Sequence, residues 1–109
     1  MAIMFNSIIG PMLEAVKGTF ENQWPTIKDF AESETIKLAQ TLTQISQLVV
    51  TEQISNIEAG VLLEIQKNTA RTVILTVEGM GLILVEEAIN SALDAVSGVI
   101  NTALGFDLV

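Results

Sequence analysis

Apolar residues recur at helical spacing through most of the chain, and this spacing limits the fold more than any other feature. Near the start they follow intervals of four, three, four and four residues, which places one set on one face of an α-helix: Phe5, Ile9, Met12, Val16 and Phe20. β-Branched residues do not alternate with polar ones as half-buried strands require. Only two prolines interrupt the 109 residues. The sequence therefore predicts an all-α chain.

Proline positions set the bounds of the first two predicted helices. The first covers about residues 2–21 and contains Pro11, which removes a backbone donor and predicts a kink near Ile9. The second covers about residues 25–51, because Pro25 suits the first turn of a helix and pushes the residue before it out of helical geometry.

A shift of the apolar stripe near residue 50 predicts a turn at residues 52–55. Ser55 followed by Glu58 matches the capping box, in which the two side chains satisfy each other's backbone amides. The alternative is one continuous helix with two buried faces. The new stripe is rotated from that of the second helix by more than a hundred degrees, at 100° per residue, and contains Val50, Ile54, Ile57, Val61 and Ile65.

The third predicted helix is long and covers about residues 56–104. Gly79 and Gly81 each cost about 1 kcal/mol relative to alanine inside a helix, so they kink it, break it or permit close backbone approach, and we expect a kink at residues 79–81. Gly105 is expected to end the helix. The predicted architecture is a long amphipathic helical hairpin with an additional N-terminal helix, in one domain of residues 1–109.

The long helix exposes more apolar surface than its neighbours can cover. At 1.5 Å per residue it would be about 70 Å long, and residues 73–85 are apolar on every side. We therefore expect oligomerisation, through this chain's own copies or a protein partner, to complete the fold. The expected interface residues combine this segment with a following heptad-like seam: Val73, Leu75, Val77, Met80, Leu82, Leu84, Val85, Ile89, Ala92, Val96, Val99 and Ala103.

Composition excludes most catalytic and nucleic-acid chemistry. The chain has no cysteine and no histidine, so it has no thiolate or imidazole metal ligand and no imidazole-dependent triad. Its net charge of −8 argues against binding nucleic acid. Glu52, Glu58 and Glu64 are six residues apart and spread around a helix rather than converge. We expect no enzyme activity, no catalytic residue, no metal site and no cofactor.

Glu78 lies inside the most apolar window of the predicted long helix, where an unpaired charge would be costly. It is expected to face water or to pair with Arg71, or with Lys67 of a neighbouring copy. The alternative is a protonatable group at an interface or in a membrane.

These observations favour a non-enzymatic structural or assembly protein that self-associates through apolar helix faces, and the composition is compatible with a phage or virion component. One alternative is a membrane- or lipid-associated amphipathic protein, which the acidic charge disfavours. A second is a helical binding module with an apolar pocket. The first thirteen residues carry no charged side chain, so no secretory signal is predicted. A cytoplasmic or virion-associated location is therefore expected.

Overall fold

The computed structural model describes residues 3–109, and these residues form helices and connections only. The all-α prediction is confirmed. A 3₁₀ turn, Glu21–Gln23, joins the first two of five α-helices. The helices are α1 (Phe5–Phe20), α2 (Trp24–Val50), α3 (Asn56–Leu75), α4 (Leu82–Asp94) and α5 (Ser97–Leu104).

The helices form a four-membered bundle in which α4 and α5 together make the fourth member. Three short connections make consecutive members antiparallel neighbours, and α1 also packs against α4, which closes the ring. Helix α5 packs against α2. The bundle measures 42 × 22 × 18 Å, and its long dimension matches the 27-residue α2 at 1.5 Å per residue.

The first two helices lie close to their predicted bounds. Helix α1 begins at Phe5, and the earlier predicted start at Ala2 falls outside the described residues. Pro11 lies inside α1, which continues on both sides of it. Helix α2 begins at Trp24 with Pro25 in its first turn, as the proline signal predicts.

The predicted turn between the second and third helices is confirmed, and both of its ends are capped. Glu52 adopts a left-handed φ of 60°, and the amides of Glu52 and Gln53 bond to the carbonyls of Val49 and Leu48, which is the Schellman arrangement. At the start of α3, Ser55 Oγ accepts from the Glu58 amide at 3.1 Å. The Ser55 amide donates to Glu58 Oε1 at 3.0 Å, completing the predicted capping box.

The single long helix predicted over residues 56–104 is wrong, because the chain breaks twice. At the first break Gly79 has a φ of 87°, a left-handed value that suits glycine, and Met80 N donates to Val77 O at 3.2 Å across a tight turn. The chain therefore reverses where only a kink is expected. At the second break the Ser97 hydroxyl donates to the carbonyl of Asp94. This bond competes with the backbone amide that would otherwise bond to that carbonyl in a helix. Gly105, with φ 81°, ends α5 as predicted.

The reversal at residues 76–81 places α4 against α1 and builds the core of the bundle. Its largest fully buried side chains come from α1, α2, α4 and α5. Among the fully enclosed apolar ones are Ile8, Met12, Ile27, Leu38, Leu42, Ile45, Val85 and Ile100. Since burying such a side chain contributes about 1.5–3 kcal/mol, this core supplies the main stabilisation of the fold.

Candidate association surface

Four of the expected interface residues lie inside the chain's own core. Val85, Ile89, Ala92 and Val96 are almost fully buried between α4 and its neighbours. They are not a free surface, which corrects the expectation that the chain cannot cover its heptad-like seam. The physical reason is the break at residues 76–81, because it folds α4 back and lets α1 cover it.

The other eight expected interface residues differ in exposure. Leu82 and Val99 are exposed, and Ile83, which follows Leu82 in the chain, is 75% exposed. The remaining six are half-buried: Val73, Leu75, Val77, Met80, Leu84 and Ala103. The segment over residues 73–85 is thus partly sheltered by the chain itself and keeps its largest apolar exposure at the start of α4.

The clearest apolar row on the surface is on α3. Ile57, Val61 and Ile65 stand at intervals of four residues and are 81%, 54% and 58% exposed. The buried residues of α3 point the opposite way, into the bundle: Ala59, Leu63, Ala70 and Ile74. We call the row Ile57, Val61 and Ile65 the outer face of α3. The shifted stripe in the sequence contained these three residues, but it served there only to locate a turn.

Grooves flank the outer face on both sides. One groove of about 440 Å³ lies between α3, α4 and the C-terminal residues, and Leu63, Leu93 and Leu108 line it. Another, of about 270 Å³, lies between α2 and α3, where Leu48 and Leu62 contribute apolar surface. The outer face is therefore a ridge between two partly apolar channels.

Two charged pairs lie along the C-terminal half of α3. Lys67 Nζ lies 3.2 Å from Glu64 Oε1, and Arg71 Nε lies 3.1 Å from Glu86 Oε1 of α4. The Arg71 Nε–H does not point at that oxygen, so the contact is an ion pair without a hydrogen bond from Nε. Such exposed pairs contribute about 0–1 kcal/mol each.

Glu78 does not lie within an apolar helix. It is exposed in the connection between α3 and α4, so the reading in which it faces water fits its position. Within residues 3–109 it forms no salt bridge, and Arg71 and Lys67 contact Glu86 and Glu64 instead. Its exposure follows from the same chain reversal that buries Val85.

The most unusual titratable group is one that the sequence shows only as a polar gap in the apolar stripe of the second helix, with no role indicated. Glu34 of α2 is only 2% exposed. Its Oε2 lies 3.1 Å from Nζ of Lys37, whereas its Oε1 is buried without a hydrogen-bond partner. In the sequence Glu34 stands at an apolar position of the second helix, and this mismatch was the available signal.

Glu34 borders a small cavity at the centre of the bundle. The cavity has a volume of about 10 Å³, and the side chains of Val16, Ala70, Ile74 and Ala88 help to line it. This volume is about that of one water molecule, so the cavity is too small for an organic ligand. The second alternative in the sequence analysis, a binding module with an apolar pocket, receives no support from this interior space.

Threonine hydroxyls bond mainly to their own helices. Seven of them donate to a backbone carbonyl three or four residues earlier: Thr19, Thr35, Thr43, Thr51, Thr69, Thr72 and Thr76. The hydroxyl donors of these residues are therefore satisfied by nearby backbone carbonyls. Ser46 instead ties two parts of the bundle together, because its buried Oγ accepts from the Ile3 amide at 2.9 Å.

No cluster of acidic, cysteine or histidine side chains suited to hold a metal ion occurs in residues 3–109. Among the helices of the same residues, none combines the length and the apolar content needed to cross a bilayer. Comparisons with protein-family models, curated proteins and solved structures give no match.

Proposed function

We propose that this chain is a non-enzymatic assembly protein whose copies associate through the outer face of α3. The observation that carries the proposal is the exposure of Ile57, Val61 and Ile65 in one row on a helix whose opposite side is buried. Isolated exposed apolar side chains are ordinary, but a continuous row between two grooves is typical of a contact surface.

A second copy is the occupant that this surface fits best. A two-fold interface uses the same patch on both partners, so the patch must carry both a protruding and a receiving element. The outer face supplies the ridge, and the groove beside Leu62 or the one beside Leu93 receives the ridge of the other copy. Ridges at spacings of four residues pack into grooves of this kind in helix pairs.

The apolar area sets the expected strength of the contact. The three side chains together expose about as much as two whole apolar side chains, so their burial contributes about 3–6 kcal/mol per copy. Both copies contribute, which gives about 6–12 kcal/mol against an association cost of about 4–15 kcal/mol. The proposed association is therefore weak and depends on protein concentration.

The net charge of the chain predicts how the proposed association depends on salt. Each copy carries a net charge of −8, so two copies repel each other at low ionic strength. Salt screens this repulsion and does not weaken apolar contacts. Association through the outer face should strengthen as salt is added, whereas a contact made of opposite charges would weaken.

Sedimentation velocity over a range of concentrations tests the proposal with two matched variants. Ile65→Lys alters the outer face, and Ile83→Lys makes the same change at an exposed site on α4. Circular dichroism checks that both remain folded. Association of the wild type that Ile65→Lys abolishes and Ile83→Lys leaves intact supports the proposal. A wild-type monomer throughout the range, or greater loss with Ile83→Lys, overturns it.

A further inference from the structure

The connection between α3 and α4 contains a tight turn. Met80 N donates to Val77 O, so Glu78 and Gly79 are its two central residues. Gly79 has a φ of 87°, while Glu78 is not among the residues with positive φ. This combination is the type II β-turn, which accepts proline at its first central position and requires glycine or asparagine at its second.

The buried faces of α3 and α4 are in phase across this turn. Ala70 and Ala88 are 18 residues apart, which is five turns of an α-helix, and Ile74 and Val85 are 11 residues apart, close to three turns. All four residues are buried. If the turn straightened, one continuous helix over residues 56–94 would bring the buried residues of α3 and α4 onto one face, where Glu78 and Gly81 would also lie.

We infer that the chain has a second folded form, a dimer in which α3 and α4 make one straight helix and α4–α5 exchange between copies. In this form α4 packs against α1 of the other copy through the same contacts that it makes within one chain. Exchange of an identical element is a low-cost route to dimers because these contacts are kept. The apolar helical pattern over residues 73–85 favours the straight form, and Gly79, Gly81 and the charge of Glu78 oppose it locally.

The turn and the phase of the two helices support the exchanged dimer, and neither involves a residue of the outer face of α3. The exchanged dimer also differs from association of two intact bundles, because α4–α5 changes partner. In the structure described above, the contact between Arg71 of α3 and Glu86 of α4 lies within one chain. The exchange would move these two helices of one chain apart. The same molecule thus has two ways to associate, one through the outer face of α3 and one through exchange of α4–α5.

Two hinge variants push the equilibrium in opposite directions. Gly79→Ala strains the turn at its positive φ and favours the helix by about fivefold per hinge, so the two hinges of the dimer should lower its dissociation constant at least about 25-fold. Glu78→Pro fits the turn and cannot continue a helix, so it should abolish the exchanged dimer. Gly18→Ala is the matched control, because Gly18 is in α1, outside the hinge residues 76–81, with open space around it.

The experiment is carried out in the Ile65→Lys background, which removes association through the outer face. Each variant is unfolded in urea, refolded at one concentration so that exchange is not blocked kinetically, and measured by sedimentation velocity. The inference predicts more dimer with Gly79→Ala than with Gly18→Ala, and none with Glu78→Pro. Equal dimer in Gly79→Ala and Gly18→Ala overturns it, and so does dimer that survives Glu78→Pro. Neither result bears on the outer face, which the wild-type background tests.

Discussion

Replacing Glu34 by methionine is expected to raise the free energy of unfolding. Glu34 Oε1 is buried without a partner, and an unsatisfied buried polar group costs about 1–3 kcal/mol. The substitution also removes the ion pair with Lys37, but the Lys37 side chain is 50% exposed, so this pair contributes about 0–1 kcal/mol. The expected net gain is about 1–2 kcal/mol, since methionine has a similar length and adapts to the small cavity beside it.

Thermal unfolding followed by circular dichroism measures this gain. Unfolding entropy of about 2.1 cal/mol/K per residue converts about 1–2 kcal/mol into a rise in Tm of about 4–9 °C for 109 residues. All samples are measured at one low protein concentration, because association would add stability. Glu14→Met, at an exposed position of α1, is the control for charge and helix propensity and should change stability by less than about 0.5 kcal/mol.

A lower Tm for Glu34→Met than for the wild type would refute this reasoning. It would mean that the carboxylate makes a net stabilising contribution in the core. Lys37→Met provides an independent check, because it removes the partner and keeps the buried charge. Lys37→Met should therefore destabilise the bundle while Glu34→Met stabilises it.

Three further predictions concern the start of α3 and the C-terminal residues. Ser55→Ala should lower the free energy of unfolding by about 1 kcal/mol in urea titration, because it removes the N-cap of α3. Hydrogen bonds from the Ser55 amide and then its hydroxyl lower the pKa of Glu58. The ionised Glu58 therefore stabilises the fold above the ordinary glutamate pKa, and this contribution is lost as the pH falls through the lowered pKa. Glu58→Gln should remove this pH dependence of Tm. Asn101 Oδ1 accepts from the amides of Leu108 and Val109, and Asn101→Ala should accelerate hydrogen exchange at both amides while exchange in α1 stays unchanged.

Local signals in the sequence are sufficient to predict most of the helical segments. Proline at residue 25 and the capping box at Ser55 each depend on neighbours within a few positions, and both lie where the structure has them. The end of the last helix at Gly105 depends on the same kind of signal. Such features are predictable because the interactions that produce them span about one helical turn.

The reversal between α3 and α4 is not predictable in this way. Glycine at residue 79 permits a kink, a break or a turn, and the choice depends on the cover that α1 gives to α4. That cover joins residues far apart in the sequence, which helical periodicity does not describe. The error then carried over to the expected interface, since Val85 and Ile89 are buried only because the chain reverses.

The outer face of α3 and the buried carboxylate were both visible as irregularities. The part of the shifted stripe that lies on α3, Ile57, Val61 and Ile65, is exposed, although periodicity alone indicates burial. Glu34 interrupts an apolar stripe, and periodicity alone gives no reason to place a charge in the core. In both cases the sequence marks the position, and its environment depends on the packing of other helices.

The threonines of α3 determine what a neighbouring molecule would meet beyond the apolar row. The hydroxyls of Thr69, Thr72 and Thr76 donate hydrogen bonds to backbone carbonyls. Each threonine therefore presents a methyl group and oxygen lone pairs to a neighbouring molecule. A carboxylate placed against these three hydroxyls would receive no hydrogen bond from them. Amide or ammonium groups could still donate to their oxygens, so along this row the threonines act as acceptors toward a neighbouring molecule.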